Sequence, residues 1–269
     1  MHQHRTALSM RHEETGQWFL ESPEFQQWKD GEGQTLFCPG IPGSGKTTLT
    51  SIVIANLLSE HQDLNTGIAF IYLDYTQQAK QSLENLLAVI LRQLGCKGGS
   101  VARCVRELYH SHKPTQTSSR PTSKHLFDAL EMVIPTFQKV FLVVDALDEC
   151  SSPNPRDDFL FHLSKLRGRY GVNVFVTSRP DPKIVSAHRD SISKEIIAAP
   201  EDIQKSLEHE LLRKYPALVG ENQQLLGEVK LCVLEYADGM YVYCTKSLII
   251  ILIVEQVPRS ATFHESPQR

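Results

Sequence analysis

Residues Gly40-Ile41-Pro42-Gly43-Ser44-Gly45-Lys46-Thr47 combine the residue types that hold a phosphate chain. Four residues separate Gly40 from Gly45 and Lys46-Thr47 follow at once, the full spacing of a Walker A phosphate-binding loop. Glycines let several backbone N–H groups converge on one anion with no Cβ in the way. A helix expected to begin near Gly45 adds its positive end to the same point. Lys46 is placed to reach the outer phosphates and the Thr47 hydroxyl to ligate Mg²⁺, with Pro42, Ser44 and Thr48 completing the candidate binding set.

Two later stretches supply partners. Lys139-Val140-Phe141-Leu142-Val143-Val144-Asp145 is an almost continuous apolar run ending in a carboxylate, followed by Ala146-Leu147-Asp148-Glu149. Such a run suits a central parallel strand covered on both faces, and its terminal Asp is the Walker B pattern, in which Asp145 meets the Mg²⁺ held by the first loop. Val172-Asn173-Val174-Phe175-Val176-Thr177-Ser178 is a second buried strand, leading into Arg179-Pro180. Arg179 would emerge beyond the carboxyl end of that strand, where its planar fork of donors could read a γ-phosphate.

The elements that must position these groups alternate. A β-like run at 34–38 precedes the loop, and Leu49, Ile52, Val53, Leu57 and Leu58 recur after it at helical spacing. Strands are expected at 67–74, 139–145, 172–178 and 194–198, the last as an edge strand, with helices at 82–94 and 123–134. Residues 95–124 break the pattern and read as a flexible loop, carrying six Lys/Arg (97, 103, 106, 113, 120, 124) against Glu107. Helices alone follow, from Pro200 and over about 222–236. The expected fold is therefore α/β, a three-layer sandwich around a mainly parallel five-stranded sheet, with a small helical subdomain after it.

Expected boundaries are a flexible N-terminus at 1–14, a lead-in at 15–33, a core at 34–199, the helical subdomain at 200–240 and a divergent tail at 241–269. The lead-in concentrates Trp18, Phe19, Phe25 and Trp28. These aromatics either pack a helix on the core or, for the segment from Thr15 through Gln17 and Trp18, line a pocket for a nucleotide base. The apolar run 248–254 is seven residues long, well short of the ~20 a spanning helix needs, so it reads as a buried element and no membrane partner is expected.

A net charge of -3 gives no reason to expect nucleic acid as a partner. Six cysteines without a C-x-x-C pair, mostly in apolar segments, suit reduced thiols inside a cell, and the N-terminus lacks the apolar core of a signal peptide, so a cytoplasmic location is expected.

With these residues placed, the chain resembles the NACHT-type NTPases of the STAND class, and in particular the nephrocystin-like N-terminal domain of fungal NLR-like proteins. The resemblance rests on Thr15-Gly16-Gln17-Trp18-Phe19-Leu20-Glu21-Ser22, the loop from Cys38 to Thr47, Asp145-Ala146-Leu147-Asp148-Glu149, Thr177-Ser178-Arg179-Pro180 and Ala237-Asp238-Gly239-Met240. It implies a switch between ADP and ATP forms with Mg²⁺, ATP being favoured over GTP, with slow or absent hydrolysis and self-assembly or pairing with other NLR-like proteins on opening. It also implies that Asp145 holds Mg²⁺, that Asp148 orients or deprotonates the attacking water with Glu149 as the alternative, and that Arg179 senses the γ-phosphate. From Tyr241 the chain departs from the resemblance, which reads as C-terminal truncation. Two other functions share these motifs: a small-molecule phosphotransferase, which would want an arginine-rich lid that is not evident, and an inactive binding scaffold.

Overall fold

The computed structural model describes residues 15–96, 99–112, 120–150 and 154–205. The chain divides into two compact units, one of residues 1–42 and 46–196, the other of residues 43–45 and 197–269. Of the sequence expectations, the flexible N-terminus, the helix at 222–236, the tail after 240 with its apolar run, and residues 97–98 and 113–119 of the basic loop lie outside the described residues.

The first unit is built on five parallel strands: β1 (Thr35–Pro39), β2 (Thr66–Tyr72), β3 (Lys139–Asp145), β4 (Asn173–Ser178) and β5 (Ile192–Ser193), in the order β2-β3-β4-β1-β5. Helices α1 (Gln17–Leu20), α2 (Pro23–Asp30), α3 (Lys46–Glu60), α4 (Leu83–Gly95), α5 (Arg103–Ser111), α6 (Ser123–Val133), α7 (Asn154–Tyr170) and α8 (Pro182–Ala187) accompany them. The apolar run of β3 is buried on both faces because side chains alternate along a strand. Val140, Leu142 and Val144 join a core with α4, α6 and α7, whereas Phe141 and Val143 join one with α1, α2 and α3.

The lead-in aromatics belong to the second core. Phe19, Phe25 and Trp28 are fully buried, and the Trp28 ring lies 5.5 Å from that of Phe25, 5.3 Å from Phe141 and 5.8 Å from Phe175. Burial of side chains this large contributes on the order of 2–3 kcal/mol each. Ser22 starts α2 by accepting from the Phe25 N–H, with Pro23 in the first turn.

Three expectations need correction. The stretch 95–124 is not loop throughout: α5 forms because Val105 and Leu108, three apart, turn to the core, and Val105 lies over Gly95, where a Cβ would approach within 2.6 Å. α7, for which the sequence suggested no element, alternates charge with buried Phe159, Leu163 and Leu166, a four- and three-residue spacing that places one apolar stripe on the sheet. The edge strand is shorter and earlier than 194–198: β5 pairs Ile192 and Ser193 with Leu36 and Phe37, and the Lys194 and Ile196 N–H groups then donate to Phe37 and Pro39. Among the described residues no helix is long and apolar enough to cross a membrane.

One fully buried side chain ties the lead-in to the sheet. Asn173 Oδ1 accepts from the Gln34 N–H at 3.0 Å, and its Nδ2 donates to the Trp28 and Gly31 carbonyls, both at 2.8 Å. Asn173→Ala orphans all three backbone groups, so it is expected to destabilise the protein by about 3 kcal/mol in urea unfolding, against at most ~0.5 kcal/mol for Ala at exposed Gln17.

Candidate functional site

β4 lies between β1 and β3, so the segments leaving all three strands emerge side by side at the carboxyl edge of the sheet. Sequence neighbours that would be far apart are thereby brought together: Pro39 stands opposite Ser178, and the Gly40 N–H donates to the Ser178 carbonyl at 3.0 Å. At this edge the strand order reverses direction relative to the chain, which opens a crevice for a ligand in parallel α/β sheets.

Asp145 ends β3 almost completely buried and receives three hydroxyl donors. Thr50 and Thr177 donate to its Oδ1, and Thr47 to its Oδ2, each at 2.7 Å. Thr50 also stands 2.9 Å from the Lys46 carbonyl, but its single proton favours the charged acceptor. Burial raises the carboxyl above its ordinary range, and the three threonines pull it back. Thr177 does a second service, accepting the Ala146 N–H at 2.9 Å. That bond holds Ala146 in a left-handed conformation (φ 57°, ψ 51°), which turns the chain sharply after Asp145 and presents Asp148 and Glu149 at the same edge.

Lys46 begins α3 and donates to the Gly40 and Ile41 carbonyls, both at 2.8 Å. Partial burial lowers its ammonium below the ordinary value, with Asp148 and Asp145 acting in the opposite sense. Arg179 grips Asp148 twice, through its backbone N–H at 2.8 Å and its Nε at 3.2 Å, and one terminal nitrogen lies 3.9 Å from Glu149. Glu149 also accepts the Tyr75 N–H at 3.1 Å; burial is the main cause that raises its carboxyl.

The structure thus gathers Lys46, Thr47, Asp145, Asp148, Glu149 and Arg179 at one edge. Thr48 is half-buried on α3 and takes no part, its carbonyl accepting the Ser51 hydroxyl. Pro42 is exposed. In the second unit Gly43 and Gly45 have φ of 80° and 89°, a backbone that L side chains rarely adopt, and the buried Ser44 hydroxyl has no hydrogen-bond partner among the described residues. Gln17 is exposed and Trp18 half-buried against the second core, while Gly16, at φ 76°, leaves room for Leu49 and Ile52 of α3.

Sequence reasoning passed over Thr50, Thr177 and Tyr75 as site residues. Thr50 could have been found, since it follows Thr47 by three and so shares its helix face. Thr177 lies at the end of the same apolar strand run that leads to Arg179. Tyr75 acts through its backbone, which leaves no mark in residue type.

The parallel sheet, its strand order and its flanking helices make this a P-loop NTPase-like fold. A profile of the family described as nephrocystin 3, N-terminal, matches residues 14–179, and the chain belongs to that family. It is 27% identical to the vegetative incompatibility protein HET-E-1 of Podospora anserina over 157 residues, 52% of this chain and 10% of that protein. The Walker-type ATPase PABY2304 of Pyrococcus abyssi superposes with a TM-score of 0.54 at 13% identity, covering 88% of this chain and 67% of the other, a likeness of fold.

The turn after Asp145 offers a test. Ala146→Gly removes the cost of a Cβ at positive φ and is expected to raise stability by about 1 kcal/mol, whereas Ala146→Val lowers it by about 2 kcal/mol or more. Urea midpoints of the two variants measure this, and a Gly variant less stable than the wild type would refute it.

Proposed function

We propose that this chain is a nucleotide- and Mg²⁺-binding switch module of an NLR-like protein, taking ATP in preference to GTP and hydrolysing it slowly. The observation that carries the reading is the meeting of Thr47 and Asp145 Oδ2 at 2.7 Å beside Lys46. Two hard oxygens so close, one charged, fit Mg²⁺, which tolerates few protein ligands and keeps the rest for water and phosphate. Thr50 and Thr177 hold Oδ1, which leaves Oδ2 to face the ion. Mg²⁺ held by Thr47 and Asp145 would supply positive charge to offset that of the phosphates.

Gly40, Ile41, Lys46 and Thr47 would hold the phosphates, with Lys46 exchanging its bonds to the Gly40 and Ile41 carbonyls for phosphate oxygens. Arg179 would do the same with Asp148, so that arrival of a γ-phosphate frees the carboxylate meant to orient water. In this structure Arg179 keeps that carboxylate engaged. The stretch from Thr15 to Trp18, packed on α3, would flank the base. Occupancy would bias a hinge between two forms in the cytoplasm, through contacts that ADP cannot make, and opening would expose surfaces for like chains.

Isothermal titration of the full chain with ATP, ADP and GTP in Mg²⁺ tests the reading. Lys46→Ala is expected to weaken ATP binding at least about a hundredfold, and Asp148→Ala to keep binding within about threefold while removing phosphate release. No heat with any nucleotide would sink the proposal; unchanged phosphate release in Asp148→Ala would move the base to Glu149.

A further inference from the structure

β2 is the long free edge of the sheet among the described residues, and a slot of about 340 Å³ runs along it. α4 returns antiparallel to the strand. Near the end of the helix Gln93 meets Phe70, and just before its start Gln81 donates to the Asp74 carbonyl. From residue 83 to 93 a helical rise gives about 15 Å, and from Phe70 to Asp74 an extended chain covers about 13 Å. A slot of that length, walled by a strand edge, accommodates four or five residues of extended peptide.

Its polar groups point the same way. The Gln93 carboxamide accepts the Phe70 N–H at 3.1 Å and donates to the Phe70 carbonyl at 2.9 Å, the pair of bonds a neighbouring strand would make. A side chain therefore closes the edge, and a side chain can swing away. Gln81 is 6% exposed, and its Oε1 has no hydrogen-bond partner among the described residues, so an acceptor in the slot wall is open to an N–H donor. Charge is also uneven. Lys80 and Arg92 stand near the two ends of the slot and make no ion pair among the described residues, whereas both oxygens of Asp74 are already taken by Thr76 and Gln77.

We propose that this slot docks an extended acidic peptide of a partner protein, which adds to β2 as a strand in place of the Gln93 carboxamide. Backbone groups of the peptide take over the two bonds at Phe70, and one of its N–H groups donates to Gln81 Oε1. Acidic side chains near its ends face Lys80 and Arg92, and an apolar one between them rests on Leu86 and Val89, the latter 42% exposed. The inference stands apart from the nucleotide reading, since none of these groups is a phosphate or metal candidate.

Fluorescence anisotropy on the full chain tests it, with the fluorescein-labelled pentapeptide Asp-Thr-Val-Thr-Asp, whose first, third and fifth side chains share a face, and its Lys-Thr-Val-Thr-Lys counterpart as probes. The acidic peptide is expected to bind and the basic one not. Gln93→Ala, which removes the competing carboxamide, should tighten binding about threefold or more, and Lys80→Glu with Arg92→Glu, both on exposed residues, should weaken it at least about tenfold. Thermal melts of each variant report folding separately. The proposal is overturned if the acidic peptide binds neither the wild type nor Gln93→Ala, if the two peptides bind equally, or if charge reversal leaves affinity unchanged. A concentration-dependent dimer in sedimentation, dissolved by Lys80→Glu with Arg92→Glu, would assign the edge to a second copy instead and overturn it as well.

Discussion

A carboxylate taken out of water at the end of a buried strand must be given hydrogen bonds or lose its charge, and at Asp145 three threonine hydroxyls meet that demand. Much else in the first unit follows from it. The donors come from α3 and β4, so the helix after β1 must start where it does and β4 must lie between β1 and β3. A slip of one residue in either register would turn Thr177 to the other face of the sheet and replace a donor with an apolar wall. In the observed register Phe141 stands opposite Asn173 and Val144 opposite Val176.

Around this hydrogen-bonded carboxylate the other charged groups each have a partner. Lys46 leans on backbone carbonyls, Arg179 on Asp148, and Glu149 on a backbone N–H from the segment after β2. Each pairing is at the rim, where water competes and an incoming anion or cation can displace a partner at modest cost. Deep bonds hold geometry and shallow ones can be exchanged, which is what a site that responds to a ligand requires.

The division between what the sequence disclosed and what it hid follows the same physics. The loop at 40–47, the strand ending in Asp145 and the arginine after β4 were legible because each depends on residue type at fixed spacing. The fold class was legible for a similar reason, since two-faced burial makes β3 and β4 continuous apolar runs. α5 was not, because Val105 packs over Gly95 on another helix, a contact made only by tertiary packing. β5 was misplaced because an edge strand one-sidedly paired leaves little apolar pattern. Asn173 and Tyr75 work through backbone groups of other segments, and no local pattern announces such partners.

Thr177 has one further implication. Its single hydroxyl accepts from Ala146 and donates to Asp145, while Thr50 shares that same carboxylate oxygen and sits on the helix that carries Thr47. Free energy held in such a closed set cannot be divided among its members, because losing one donor changes what the others are worth. Across related sequences, positions 47, 50, 145, 146 and 177 would then be inherited as a block: a change at one becomes tolerable or harmful according to the others, so the evolutionary unit at this edge is the network and not the residue.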